Sequence, residues 1–375
     1  MNRVKTSLLY LMIIVIAGVM AACGNNDKSS GETEDADSFY DGETLDILIP
    51  FSAGGGTDGL FRYLQEYLNQ HVSGNPSIQV ENIPGGGSII GANEYVDLRE
   101  HDGLNAIATS ASTMIPFLIG QKEVNYDLRE LEPIIGMPNG VVLYTSPDSG
   151  VSEGADLLDP PEELVLGATD PTGIDVMTLL AFEVLGIEDQ VNIIFGYEGA
   201  GASRQAFMQG ETNLDYQSGT SYQSNVQPLV DEGEAVPLFT FGFTNEEGDI
   251  VEDPAFPEIP TVKDVYVDVY GEEPSGEAWE AYKAVVGVVN SMHKTLWLHG
   301  DAPDAAIEAL RAGAVQTVED EDFKSGADEV LGDYDPLVGE ELENSVANLS
   351  NIDDETLKWI SEFLKEEYDV KGLKE

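Results

Sequence analysis

Two glycine-rich stretches and a few hydroxyl-bearing loop ends hold the residues with chemistry to offer. The first is Pro50-Phe51-Ser52-Ala53-Gly54-Gly55-Gly56-Thr57-Asp58. It follows the apolar run Leu45, Ile47, Leu48, Ile49 and precedes Leu60, Phe61, Leu64 and Leu68 at helical spacing. Three glycines at a strand-to-helix junction let backbone approach a ligand closely, and the first N–H groups of the helix stand free to bind an anion. The competing reading is a tight turn with Asp58 as helix cap. The second stretch, Pro84-Gly85-Gly86-Gly87-Ser88, is either another wall of a cleft or a turn that lets helix and strand pack. Ser110 and Ser112 follow a strand-like run at the same sheet edge, where their hydroxyls either face a ligand or cap the next helix. Tyr197 follows another strand and offers a hydroxyl, or is an ordinary half-buried aromatic. Arg62 and Arg204 stand out because cations are scarce. Each either grips a carboxylate in a bidentate contact or offsets neighbouring acids.

Other chemistries lack their residues. There is no GxSxG elbow, no HExxH, no lysine after the glycines in the phosphate-loop pattern, and no cysteine placed for catalysis. Gly85-x-Gly87-x-x-x-Gly91 misses the dinucleotide fingerprint by one residue. His71, His101, His293 and His299 show no metal-ligand spacing, and a single cysteine excludes an internal disulfide and a cysteine-based zinc site. No catalytic residue, metal or cofactor is assigned.

The ends and the charge place the chain. Arg3 and Lys5, the apolar run Leu8 to Val19 and Met20-Ala21-Ala22-Cys23 resemble a lipoprotein signal peptide over residues 1–22, with Cys23 as the lipidated residue. A plain secretory signal or a single membrane anchor is the alternative. Residues 24 to about 41 are almost without apolar side chains and read, within a segment 23–43, as an acidic disordered tether. Cleavage would remove Arg3 and Lys5 from the 17 basic residues and none of the 70 acidic ones, taking the formal charge from −53 to −55. Such self-repulsion opposes the compact state at low salt and is screened at molar salt, where the Debye length is about 3 Å. The charge indicates a saline habitat and excludes nucleic-acid binding.

From Leu45 onward strand-like and helix-like runs alternate, which argues for an α/β fold with mainly parallel sheets. Strands are expected at 78–80, 105–110, 141–144, 164–166, 191–195, 213–215, 236–243 and 296–298. Helices are expected at 89–98, 176–185, up to Met208, at 221–230 and at 278–289. A further helix is opened by Asp301-Ala302-Pro303, with Asp301 as its cap, and a terminal one follows Asp353-Asp354. Roughly 330 residues after the tether suit two domains.

Four stretches in this order resemble the extracytoplasmic solute receptors of the tripartite tricarboxylate transporters, the Bug or TctC-like family. They are Pro50 to Asp58, Val80-Glu81-Asn82-Ile83-Pro84-Gly85-Gly86-Gly87, Tyr197-Glu198-Gly199 with Gly210, and Phe256-Pro257-Glu258-Ile259-Pro260-Thr261-Val262. The match spans residues 44 to 340. The resemblance implies a two-lobed, flytrap-like periplasmic-binding-protein fold of type II with the ligand in an interdomain cleft. Domain one would comprise 44–142 plus 242–375, and domain two 143–241. It further implies a lipid-anchored monomer that captures a small organic carboxylate and delivers it to membrane permease subunits. An acidic cell-surface enzyme or ion-binding protein on the same fold is the alternative function. The carboxylate would be held by backbone N–H groups of two facing loops, Phe51, Ser52, Ala53, Gly54, Gly55, Gly56, Thr57 and Asp58 on one side and Thr169, Asp170, Thr172 and Gly173 on the other. Asp170-Pro171 departs from the family's Gly-Ser-x-Gly pattern in the second loop. An acid there costs an anionic ligand affinity unless it points away or meets a donor such as an amine.

Transfer from molar salt to dilute buffer is expected to cost the domain structure, read as loss of far-ultraviolet circular dichroism. An unchanged spectrum removes the saline reading.

Overall fold

A computed structural model of the chain describes residues 35–245 and 247–374. The expected signal peptide, Cys23 and the tether as far as residue 34 lie outside the described residues. The last part of the expected tether belongs to the fold instead. Tyr40 is fully buried, stacks edge-on against Phe39 and donates its hydroxyl to the Gly103 carbonyl at 2.7 Å. One buried aromatic contributes on the order of 2 kcal/mol, enough to hold a short polar segment down.

Two five-stranded sheets carry the architecture, and they are built alike. The first half of the chain runs β1 (Thr44–Ile49), α1 (Gly56–His71), β2 (Ser77–Asn82), α2 (Ile89–Leu98), β3 (Asn105–Ser110), α3 (Ala111–Leu118) and β4 (Leu131–Met137). It then crosses to the second sheet with β5 (Val141–Thr145), β6 (Leu164–Ala168), α4 (Asp175–Leu185), β7 (Val191–Phe195), α5 (Ala200–Met208) and β8 (Leu214–Ser218). After α6 (Gly219–Asn225), α7 (Gln227–Glu232) and β9 (Val236–Thr240) it returns. A small ribbon of β10 (Phe243–Thr244) and β11 (Ile250–Val251) follows, then α8 (Val262–Tyr270), α9 (Glu277–Ser291) and β12 (Lys294–His299). The C-terminal helices are α10 (Asp304–Glu319), α11 (Glu321–Leu331), α12 (Gly339–Asn351) and α13 (Asp354–Tyr368).

The strand order is β2-β1-β3-β12-β4 in one sheet and β7-β6-β8-β5-β9 in the other. In each, the second strand in this order pairs in parallel with both neighbours, and one antiparallel strand is inserted next to the last. Each sheet with its helices forms a lobe. In the first, β1 is apolar on both faces, with Leu45, Ile47 and Ile49 packed beneath α1 and Leu48 beneath α2 and α3. Gly91 serves that packing: a Cβ there would run into the Ile83 carbonyl and lie 2.8 Å from Pro50 Cβ. Its place in a near-miss dinucleotide motif is therefore a matter of helix-on-strand contact.

Three expected elements differ. The helix expected at 221–230 is two, α6 and α7, broken at Val226 ahead of Pro228, which has no N–H to continue the first helix. The strand expected at 236–243 ends at Thr240, where Gly242 at φ +75° turns the chain back to the first sheet. Asp301 is not the cap of α10. Pro303 occupies the cap position in extended conformation, and Asp301 instead donates its N–H to His299 Nδ1 at 3.1 Å.

The two inter-sheet crossings lie side by side. Phe241 N–H donates to the Val141 carbonyl at 3.1 Å, Asn139 N–H to the Asn290 carbonyl at 2.9 Å, and the Asn290 side chain to the Gly242 carbonyl at 2.7 Å. Over them sits fully buried Asp253, whose carboxylate oxygens lie 3.0 and 3.1 Å from the Tyr334 hydroxyl. Gly140 is required beneath it, because a Cβ would collide with the carboxylate.

Burial pushes the Asp253 carboxyl up to about 6, with the Ala255 N–H and the Tyr334 hydroxyl opposing only in part. A folded-state pKa above the unfolded value means that its contribution is greatest when protonated and is lost as pH rises through 6. Two pH units at about 1.4 kcal/mol each amount to about 3 kcal/mol. Asp253→Asn should therefore melt at a more constant temperature than the wild type between pH 4 and 7. Parallel curves for the two proteins would disprove this.

Candidate functional site

The carboxyl ends of β2 and β3 face those of β6 and β7 across a cleft of about 490 Å³. Gly86, Gly87, Ile89, Ser112, Pro116 and Gln121 line it from the first lobe. Gly167, Thr169, Asp170, Thr172, Gly173, Ile174, Gly199, Ala200, Ser203 and Tyr216 line it from the second. No lysine, arginine or histidine is among these lining residues, and Asp170 is the one acid.

The first-lobe wall is the second glycine turn. Gly85, Gly86, Gly87 and Ser88 have φ of +136°, +57°, +64° and +93° in succession. Side chains are disfavoured there, and the serine at the end of the run carries backbone strain. Ser88 is buried and donates its hydroxyl to the Ser112 carbonyl at 3.3 Å, tying the turn to α3. The N–H groups of Gly86 and Gly87 have no acceptor among the described residues and stand in the cleft lining.

The second-lobe wall hangs on Asp175, buried at the start of α4. Its carboxylate accepts the N–H groups of Thr169 and Asp170, each at 3.2 Å, and the Tyr216 hydroxyl at 2.7 Å. Burial raises its pKa, the three donors pull it back, and the charge of Asp170 raises it again. Asp170 folds onto its own loop: Oδ1 accepts the Thr172 N–H at 2.8 Å and the Thr172 hydroxyl at 2.6 Å. Behind α5, Arg204 donates to Gln217 and to Ser221, both at 3.1 Å. Gln217 in turn donates to Asp215 at 3.0 Å. Burial lifts the Asp215 carboxyl to about 6, with the Tyr144 hydroxyl among the donors that oppose the rise.

The first glycine loop repeats the device of the second lobe. Asp58, in the first turn of α1, accepts the Gly54 N–H at 2.8 Å, Asn82 at 2.9 Å and the Arg62 guanidinium at 2.9 and 3.0 Å. Burial works against its charge, but Arg62, the Gly54 N–H and Asn82 together hold its pKa below the usual range. Asn82 also donates to the Phe51 carbonyl at 3.0 Å, so the loop is closed on itself.

These contacts decide where each expected site residue lies. Ser112, Thr169, Asp170, Thr172 and Gly173 line the cleft together. Phe51, half-buried against the first core, and the exposed Ser52, Ala53, Gly54, Gly55 and Gly56 stand outside its lining at the end of β1, while Thr57 and Asp58 are buried. Ser110 does not present its hydroxyl to the cleft: it caps α3, accepting the Ser112 N–H at 3.2 Å. Tyr197 lays its ring over Gly167, about 3.0 Å from where a Cβ would sit. The expected N–H donors of the second loop are largely committed, since those of Thr169, Asp170 and Thr172 already have carboxylate acceptors. Arg62 and Arg204 are engaged within their lobes. Gly86, Gly87, Gln121, Gly199, Ser203 and Tyr216 were not singled out as site residues from sequence. The second glycine turn carried a divided signal, and Gly199 stood only in the stretch Tyr197-Glu198-Gly199 that carries the family resemblance.

Asp58→Ala removes the acceptor that closes the first loop. With Arg62 half exposed, the ion pair itself contributes little; loss of the acceptor for the Gly54 N–H and Asn82 is expected to cost about 1–3 kcal/mol. Proteolysis at residues 52–56 should accelerate with it, and an unchanged melting temperature and cleavage rate would refute the latch.

No family model matches the chain, and no curated protein matches it in sequence. Solved structures match it in fold. A TctC solute-binding protein from Polaromonas superposes with a TM-score of 0.64 at 15% identity, covering 87% of this chain and 99% of that one. MatC from Rhodopseudomonas palustris, with bound malate, gives 0.55 at 15% identity over 85% and 98%. Rpa4515 from R. palustris, with adipate, gives 0.57 at 18% identity over 85% and 97%. At these identities the likeness establishes the fold, and the chain has the two-lobed α/β fold of the periplasmic solute-binding proteins of TctC type.

Proposed function

We propose that this chain is an extracytoplasmic solute-binding protein that captures a small carboxylate between its lobes. The supporting observation is the cleft itself: strand ends of two matching sheets face each other and offer open backbone N–H groups and hydroxyls but no cationic side chain. A carboxylate is well served by several neutral donors in a partly desolvated site, where each bond to a charged acceptor is stronger than a neutral one. A solute touching both walls stabilises the closed form by its differential affinity for it. The malate bound to MatC and the adipate of Rpa4515 are carboxylates of the small size that this reading takes. The exposed loop Ser52–Gly56 and Tyr197 are assigned to the rim that meets the ligand on closure. Residues 44–140 with 242–375 would form one moving body and 141–241 the other, since β5 from Val141 onward is paired into the second sheet and the boundary expected at 142 would cut it. Lipidation at Cys23, delivery to tripartite permease subunits, a monomeric state and a saline habitat complete the proposal.

The test is a thermal-shift and calorimetric screen of small organic acids in molar salt. At least one acid should raise the melting temperature, and Ser112→Asp should weaken its binding by about tenfold or more. An acid in the first turn of α3 suits the helix and leaves folding intact, while placing charge against the ligand. Turnover of an acid, or no response to the whole panel, would sink the receptor reading.

A further inference from the structure

Asp170 sits badly in a site for a plain diacid, and its surroundings say what would suit it. It lines the cleft from the second lobe, with Oδ1 occupied by both donors of Thr172. Oδ2 has no partner among the described residues and lies beside Gly173, 3.5 Å from where a Cβ of that residue would stand. A second carboxylate, Asp175, is close behind and accepts the Asp170 N–H. No cation offsets the pair from within the lining. Arg204 is turned to Gln217 and Ser221, Arg62 is held by Asp58 in the other lobe, and Lys294 on β12 is outside the lining. The opposite wall has the reverse character, with the free N–H groups of Gly86 and Gly87 and the side chain of Ser112. The cleft is thus polarised, donors on the first lobe and an open carboxylate oxygen on the second.

Resting on the receptor reading above, we infer that the solute carries an ammonium group beside its carboxylate, as an α-amino acid does. The carboxylate faces the glycine turn and the ammonium meets Asp170 Oδ2 as a charge-assisted hydrogen bond. Thr172 holds the Asp170 carboxyl in one orientation before the ligand arrives, so little side-chain freedom is lost on binding. The same geometry discriminates. A diacid without the amine places carboxylate against carboxylate at the second wall, and like charges in a partly desolvated site repel. The charge of the whole chain acts in the same direction, because a formal −53 repels a dianion at long range but exerts little net force on a zwitterion.

Two matched ligand series separate this inference from the reading it rests on. Propionate, lactate and alanine differ only at the second carbon, as do succinate, malate and aspartate. Titrated against the purified chain in molar salt, the amino member of at least one series should bind about tenfold or more tightly than its unsubstituted parent. N-acetylation of that amino acid should abolish the advantage on the unaltered protein. Asp170→Asn keeps Oδ1 for Thr172 and should bring the amino member down to its parent while leaving the parent as tight or tighter. If simple acids bind and amino acids bind no better, or if the acetylated ligand binds as well as the free amine, the receptor stands and this inference falls. If Asp170→Asn folds and weakens every acid equally, the inference falls as well. If no acid or amino acid binds at all, both are overturned.

Discussion

Two buried carboxylates hold the shape of the cleft region, one in each lobe. Asp58 and Asp175 stand in the first turns of the helices that follow β1 and β6, and each reaches back to take N–H groups of the loop that precedes it. The position suits an anion twice over, since it satisfies orphan donors and lies at the positive end of the helix dipole. The two differ in how their charge is maintained. Asp58 has Arg62 and keeps a depressed pKa, while Asp175 has only a tyrosine hydroxyl and two N–H groups and is pushed up by burial and by Asp170. The N–H groups so engaged, of Gly54 in one lobe and of Thr169 and Asp170 in the other, are not open to a ligand. The open donors in the cleft lining belong to the next loop along, the glycine turn after β2.

The glycine run at 85–87 accordingly matters more to the cleft lining than the run at 54–56. In the first run Gly54 is folded onto Asp58 and the others stand exposed. In the second, consecutive left-handed residues keep side chains away and expose N–H groups to the cleft. The equivalent position in the other lobe, after β7, also carries a glycine in the cleft wall, Gly199. The two lobes are two versions of one plan, with the same strand order and the same latch.

Charge is managed by burial and location rather than by pairing. With 70 acidic residues and 17 basic ones, most acids have no cationic partner, and several that are buried are held by hydroxyls and amides. Asp253 with Tyr334 lies over the crossings between lobes, and Asp215 with Tyr144 and Gln217 lies beneath the cleft. Both have pKa values raised to about 6 by burial. A neutral or partly protonated acid costs less to bury than an ionised one, which is how a chain so poor in cations keeps acids in its core.

Local pattern was sufficient for much of the fold. The apolar runs at 105–110 and 191–195 and the helix at 89–98 are visible because a buried strand or an amphipathic helix must repeat its apolar positions. Proline and glycine likewise mark turns, although Pro228 split one helix and Gly242 ended one strand where hydrophobicity alone read straight through. Of the loops that stood out in the sequence, the glycine turn at 86–87 and the acid at 170 line the cleft. Which glycine turn lines the cleft was not legible, because it depends on Asp58 and Asp175 taking particular N–H groups across a loop. Nor was the role of Ser110, whose hydroxyl turned to its own helix, or of Tyr40, whose burial depends on Gly103 sixty-three residues away. Sequence alone determined the alternating elements, the charge and the chemical type of the loops, since these follow from neighbouring residues. Tertiary structure decided which donors remain free, since a hydrogen bond once made inside the fold is no longer available to a ligand.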